Sequence, residues 1–263
     1  MNYAMITGAS SGIGLEYARQ LALQGYAILV VSNQREANET VAVSLAKEYG
    51  VTALPVYSDL SQDDAAQQLY DFCREKSIEV EILISNAGIL HFGKLVHTDE
   101  KLIQKIIAIH CTTPVKLCRL FGADMCKKGR GHILLMSSMT SWTLLPTMSL
   151  YGSTKVFLRN FGKCLWYELQ PFGVGVTTVF PSAVDTSFYD IDSKSRRRLR
   201  QLGLIISPQK LARGALKAMF RRKRQYIPDF WTKLEIGLCR VTPTWVYRLF
   251  LRLPAIRRIL ERL

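Results

Sequence analysis

Residues 3–14 read YAMITGASSGIG. Five residues suited to an extended, buried strand run directly into a glycine-rich turn, and the helical pattern that follows opens at Ile13. A strand that feeds a helix through glycines leaves backbone N–H groups and the positive end of the helix free to face an anion such as a pyrophosphate. Gly8, Ser10, Ser11, Gly12, Ile13 and Gly14 are therefore candidate phosphate-cradle residues. The competing reading is structural, because any tight strand-to-helix turn selects glycine.

Outward from this turn, short β-branched runs alternate with longer amphipathic stretches. Strands are expected at 3–7, 27–32, 52–57, 82–85, 132–137 and 175–180, and helices near 13–25, 36–49, 62–77, 98–127 and 149–170. The alternation predicts an α/β fold: a Rossmann-type, doubly wound parallel sheet of about seven strands with helices on both faces. Ser207-Pro208 reads as an N-cap followed by a first-turn proline, opening a helix to about 222, and Gln225 to Ile227 suits a last short strand. Residues 1–228 are expected to form this domain, with 182–206 as a substrate lid. Residues 229–263 are expected to add a basic, amphipathic helical tail broken by Pro243 and Pro254.

At 263 residues and 48% hydrophobic content the chain can bury one large core. The six cysteines are scattered without a CxxC pair, which predicts a reduced, cytoplasmic setting without disulfides or metal. No apolar run approaches the roughly 18 to 20 residues of a membrane-spanning helix, and the first strand leaves no room for a leader. Residues 1–189 carry equal numbers of acidic and basic side chains, whereas residues 190–263 carry 19 Lys and Arg against 5 Asp and Glu. The whole net charge of +14 sits in the last quarter of the chain.

In an open α/β sheet, ligands bind outside the carboxyl ends of the strands. Asp59-Leu60 and Asn86-Ala87-Gly88 fall at two such ends, although Asn86 also suits an ordinary turn. At the end of the second strand, Ser32 and Asn33 supply no carboxylate to repel a ribose 2′-phosphate, and Arg35 is near enough to meet one or is simply solvated. NADP is preferred over NAD on that reading. Tyr151 and Lys155 stand four apart on one helix face. A phenol with a pKa near 10 is a poor acid or base at neutral pH, and an adjacent cation that stabilises phenolate brings it into range.

TGASSGIG, then DL, NAG, SSM and YGSTK together resemble the short-chain dehydrogenase/reductase family over residues 2 to about 228. The resemblance implies hydride transfer between NAD(P)H and a carbonyl or alcohol, with Tyr151 as general acid/base, Lys155 bonding the nicotinamide ribose, and Ser138 bonding the substrate oxygen. It also implies that Asp59 contacts adenine and that Asn86, Ala87 and Gly88 support the sheet beside the cofactor. Pro181, Val184 and Thr186 complete the cofactor contacts. Two departures stand out. His110 occupies the place of an asparagine that serves a proton relay, and reads either as a relay substitute or as a satisfied core histidine. Ser182 replaces the family's glycine after Pro181.

Leu90, His91, Phe92, Met139, Leu144, Leu145, Met148, Phe188 and Tyr189 are expected to wall an apolar substrate pocket, favouring a lipid-like, 3-ketoacyl, steroid-like or aromatic carbonyl. A homodimer through the helices near 98–127 and 149–170 is expected. The basic tail reads either as helices packed with their arginines in solvent or as a peripheral membrane contact, while nucleic acid is a poorer match because no binding module is present. A non-catalytic cofactor-binding scaffold or sensor is the rival to the enzyme reading.

Overall fold

A computed structural model of the chain describes residues 2–143, 146–185 and 205–243, together with Trp245, Val246 and Leu249. Seven parallel strands form one sheet: β1 (Tyr3–Thr7), β2 (Ala27–Ser32), β3 (Ala53–Tyr57), β4 (Val80–Ser85), β5 (Gly131–Met136), β6 (Val174–Val179) and β7 (Gln225–Tyr226). Their spatial order is β3-β2-β1-β4-β5-β6-β7. The order reverses between β1 and β4, where open α/β sheets form their ligand crevice.

Strands β1, β2, β4, β5 and β6 are buried almost throughout because both of their faces are covered. One face packs Tyr17 and Leu21 of α1 (Gly12–Ala22), Val41 and Leu45 of α2 (Arg35–Tyr49), and Leu211 and Leu216 from Pro208–Phe220. The other packs Leu69 of α3 (Ala65–Glu75), Leu117, Phe121 and Met125 from Thr113–Lys128, and Leu165 from Ser149–Leu169. Ser207 caps the helix at Pro208 by accepting from the Lys210 N–H at 3.3 Å.

The single helix expected near 98–127 is broken. It consists of α4 (Glu100–Ile107), a π-helical turn at Ala108–Thr112, and α5 (Thr113–Lys128). Pro114 has no N–H for the carbonyl of His110, so the regular ladder cannot continue through that point. By length and composition the continuous run Glu100–Lys128 is apolar enough to span a membrane, contrary to the sequence expectation, but half of its most apolar window is buried within the protein.

Further helices among the described residues are α6 (Ser149–Leu169), α7 (Pro208–Phe220) and α8 (Phe230–Val241). Val184 bridges Ile206 in parallel, so the described ends of the expected lid meet. Residues 186–204 between them, including Thr186, Phe188 and Tyr189, lie outside the described residues, as do Leu144, Leu145 and most of the chain beyond 243.

Candidate active site

The glycine turn is held from two directions. Gly8 and Gly12 adopt φ of +69° and +57°, and a Cβ at Gly14 would lie 2.0 Å from the Gly8 carbonyl oxygen. Only glycine permits helix α1 to start this close to the turn. From β4, the Asn86 side chain donates to the carbonyl of Thr7 at 3.0 Å, and the Thr7 hydroxyl accepts from the backbone N–H groups of Asn86 and Ala87 at 2.9 and 3.1 Å. The NAG segment thus braces the turn across the β1–β4 junction.

These groups line a cleft along the carboxyl edge of the sheet. Of the residues expected to hold a cofactor or substrate, Gly8, Ser10, Ser11, Gly12, Ile13, Ser32, Asn33, Asp59, Leu60, Asn86, Ala87, Gly88, Ser138, Tyr151, Lys155, Pro181 and Val184 all line it. Gly14 stands behind the turn rather than in the cleft wall, and His110 lies beneath the surface. Arg35 is also outside the lining and stacks its guanidinium 4.8 Å from the Tyr57 ring centre. Gln34, Ser58, Ile89, Lys105, Ile109, Met136 and Ser137 line the cleft without having been singled out from the sequence, and so does Ser182, the departure that follows Pro181. Strand-end position was the available signal for Ser58, whereas Lys105 and Ile109 depend on how α4 and its π-turn cross the cleft.

At the adenine end of the expected site, burial opposes ionisation of Asp59. The Ser61 hydroxyl and backbone N–H, at 2.7 and 3.0 Å, the more distant Gln62 amide and the Lys105 charge outweigh it and hold the carboxyl below its ordinary range. Ser32 is committed to Asn38, to which its hydroxyl donates at 2.6 Å, leaving no carboxylate at the end of β2.

At the other end, one helix and one strand bring three side chains together. Ser138 follows β5 and caps the 3₁₀ turn Met139–Ser141, its hydroxyl accepting from the Thr140 N–H at 3.1 Å. Tyr151 and Lys155 lie one turn apart on α6, both buried. Lys155 Nζ is 5.4 Å from the Tyr151 ring centre and donates to the Met136 carbonyl at 2.9 Å. Ser137 locks that helix turn to β5 by donating to the Lys155 carbonyl at 2.8 Å. Burial pushes the Lys155 ammonium down to about 8, although the nearby Cys111 works in the opposite direction.

His110 sits in the π-turn, 1% exposed and edge-on to Tyr151 with ring centres 5.7 Å apart. Its Nε2 accepts from the Ile89 N–H at 2.9 Å. Its Nδ1 is 2.8 Å from the Thr154 hydroxyl, which itself donates to the Tyr151 carbonyl at 2.8 Å. The backbone amide must donate, so Nε2 carries no proton; the hydroxyl has spent its proton on Tyr151, so Nδ1–H is the donor. The ring is thereby a neutral crosslink, and burial together with the Lys155 charge pushes its pKa well below the ordinary histidine value.

On the substrate side, the Gly93 N–H donates to the Thr147 carbonyl at 2.9 Å, joining the loop after β4 to the loop before α6. His91 pairs with Thr98 at 3.0 Å, Met148 is buried and Phe92 is exposed.

The cleft fits a dinucleotide on structural grounds. A Cβ at Gly8 or Gly14 would crowd the braced turn, and the buried Ser58 hydroxyl in the lining has no hydrogen-bond partner among the described residues. The family model for short chain dehydrogenases matches residues 2–196. The chain belongs to the short-chain dehydrogenase family. The seven-stranded parallel sheet agrees with solved relatives.

A short-chain dehydrogenase from Sphingobium yanoikuyae in complex with NADPH is 28% identical to this dehydrogenase, with a TM-score of 0.79 over 92% of this chain and 97% of that one. The bulky-bulky ketone specific alcohol dehydrogenase from Comamonas testosteroni is 27% identical, with a TM-score of 0.77 over 92% and 95%. Among curated proteins, the very-long-chain 3-oxoacyl-CoA reductase of Coccidioides immitis is 32% identical over 74% of this chain and 56% of its own length. The uncharacterized oxidoreductase YmfI of Bacillus subtilis is 31% identical over 85% and 93%. This dehydrogenase thus spans about half the length of the Coccidioides reductase, and only 31% of the mycobacterial oxidoreductase EphD.

Proposed function

We propose that this dehydrogenase is an NADPH-dependent reductase of an apolar carbonyl compound, or runs the reverse oxidation of the alcohol. The observation that carries the proposal is the convergence of Ser138, Tyr151 and Lys155 in the same cleft as the braced glycine turn. Bound NADPH would supply the hydride that reduces the carbonyl carbon. The Tyr151 hydroxyl gives its proton to the oxygen that becomes the alcohol, and the Ser138 hydroxyl donates a hydrogen bond to the same oxygen as negative charge develops on it. The Lys155 ammonium stabilises the phenolate that Tyr151 leaves behind. Its depressed pKa shows how strongly the cleft desolvates that cation.

Gly8, Ser10, Ser11, Gly12 and Ile13 would hold the phosphates, with Asp59, Leu60 and Ser58 toward the adenine. The preference for NADPH is supported by the absence of a carboxylate at Ser32 and Asn33 and by the NADPH bound in the Sphingobium relative. Arg35 meets a 2′-phosphate in this proposal only by leaving Tyr57. Thr186 is assigned to the nicotinamide amide by its place in the family pattern. None of the described apolar-wall candidates, Leu90, His91, Phe92, Met139 and Met148, is in the cleft lining itself; an apolar substrate is supported by the bulky ketones and 3-oxoacyl-CoA for which the Comamonas and Coccidioides relatives are named. His110 acts as a positioning residue that ties Tyr151's helix turn to Ile89.

Ile107 of α4 and Phe157 of α6 are exposed apolar side chains on the helices proposed to form a homodimer, which a solution mass measurement would test. A reducing, cytoplasmic setting is part of the proposal and rests on the scatter of the six cysteines without a CxxC pair. The proposed activity is tested by NADPH oxidation against bulky ketones and 3-oxoacyl thioesters. Tight NADPH binding without turnover of any of them would replace the enzyme reading by that of a cofactor-binding scaffold.

A further inference from the structure

Helix α8 is amphipathic, and its apolar side is turned away from the protein. Phe230, Trp231, Leu234, Leu238 and Val241 are all exposed, Trp231 at 59% and Val241 at 76%. At 3.6 residues per turn these five fall within an arc of roughly 100°. On the opposite side of the helix Thr232 and Ile236 are buried. Asp229 caps the helix by accepting from the Thr232 N–H at 2.8 Å and from its hydroxyl at 2.7 Å. A surface helix of a free-standing domain places its apolar stripe against the core, and this one does the reverse.

We propose that this stripe docks onto an anionic lipid surface. Charge complementarity decides the occupant. The last quarter of the chain carries 19 Lys and Arg against 5 Asp and Glu; residues 240–263, the end of α8 and the sequence that follows it, hold six Arg against one Glu, and Lys233 is exposed upon α8. A second copy of the same surface would bring this cationic excess against itself, whereas anionic headgroups neutralise it while the acyl boundary takes the aromatic and leucine side chains. Position adds a consequence. The Tyr226 carbonyl of β7 accepts from the Phe180 N–H at 2.9 Å, immediately before the cleft residues Pro181 and Ser182. α8 starts four residues beyond Tyr226, so docking would set the bilayer beside the cleft-bearing edge of the sheet. This inference rests on α8 and the charge distribution and stands apart from the proposed reaction.

The test uses the full chain with large unilamellar vesicles of phosphatidylcholine alone, or of phosphatidylcholine with roughly one third phosphatidylserine. The expected result is co-sedimentation with the anionic vesicles, a blue shift of tryptophan emission on binding, and loss of binding as salt is raised. The variant Trp231→Ser with Leu238→Ser lowers binding at least about tenfold while NADPH binding stays at the wild-type level. A second variant, Lys233→Glu with Arg240→Glu, leaves the stripe intact and lowers binding to anionic vesicles only. Sedimentation with neither vesicle, or equal binding by the wild type and both variants, overturns the proposal. So does a wild-type dimer that the serine variant converts to monomer without lipid, because the stripe would then be an interface between copies.

Discussion

The neutral crosslink at His110 is open to a thermodynamic test that does not depend on any substrate. His110→Phe keeps a flat ring beside Tyr151 but removes the acceptor for the Ile89 N–H and the donor to Thr154. Leaving that amide unpaired costs about 1 to 3 kcal/mol at neutral pH. The pH dependence is more diagnostic. The folded-state pKa of His110 lies well below the value near 6.5 of the unfolded chain, so stability from the neutral ring is present above that value and is lost as pH falls below it. Between about pH 7.5 and about pH 5.5 the unfolded histidine takes up most of one proton while the folded one takes up almost none, a loss of about 1 kcal/mol for the wild type. The variant has no such loss. His132, which burial and Arg222 also push down, weakens both proteins at acid pH and cancels in the difference. Urea unfolding at the two pH values should therefore show the gap between wild type and His110→Phe narrowing by about 1 kcal/mol on acidification. A gap that stays constant means that His110 titrates alike in both states, and the tautomer assigned here is wrong.

Tyr151→Phe should lower kcat by about 10² to 10⁴ without weakening NADPH binding; turnover near the wild-type rate would remove Tyr151 as the acid. Gly14→Ala sets a methyl group against the Gly8 carbonyl oxygen, so a fluorescence titration should show loss of NADPH binding, and wild-type affinity would refute the account of the braced turn. Arg35→Glu should shift the ratio of NADPH to NADH efficiency at least about tenfold toward NADH, the scale of one charge-assisted hydrogen bond. An unchanged ratio would assign Arg35 to its stack on Tyr57 alone.

Where burial on both faces makes a strand a short apolar run, the sequence already showed it: β1 and β2 begin and end at the expected residues, and β3 to β6 shift by two residues at most. The nucleotide cradle was legible because glycine and Asn86 have few alternative uses at strand ends. The π-turn was not, since apolar periodicity runs through 98–127 without a gap and only Pro114 hinted at an interruption. Lys105 and Ser58 escaped notice because a cleft wall is assembled from segments distant in sequence. For α8, periodicity announced an apolar face but contained no information about whether that face meets protein or not. Arg35 illustrates the converse limit: proximity in sequence to the end of β2 did not bring it into the cleft, because the Tyr57 ring holds its guanidinium.

The bond between Thr7 and the Asn86 segment has a kinetic meaning as well as a structural one. β1 leaves the ribosome before the other six strands of the sheet, and its neighbour β4 and the side chain that braces its turn arrive nearly eighty residues later. The glycine loop must therefore wait, unlocked, through the synthesis of two complete strand–helix units, and closing so distant a pair is slow by its topology. NADPH binding to nascent or truncated chains would consequently mark the moment at which the two halves of the sheet join.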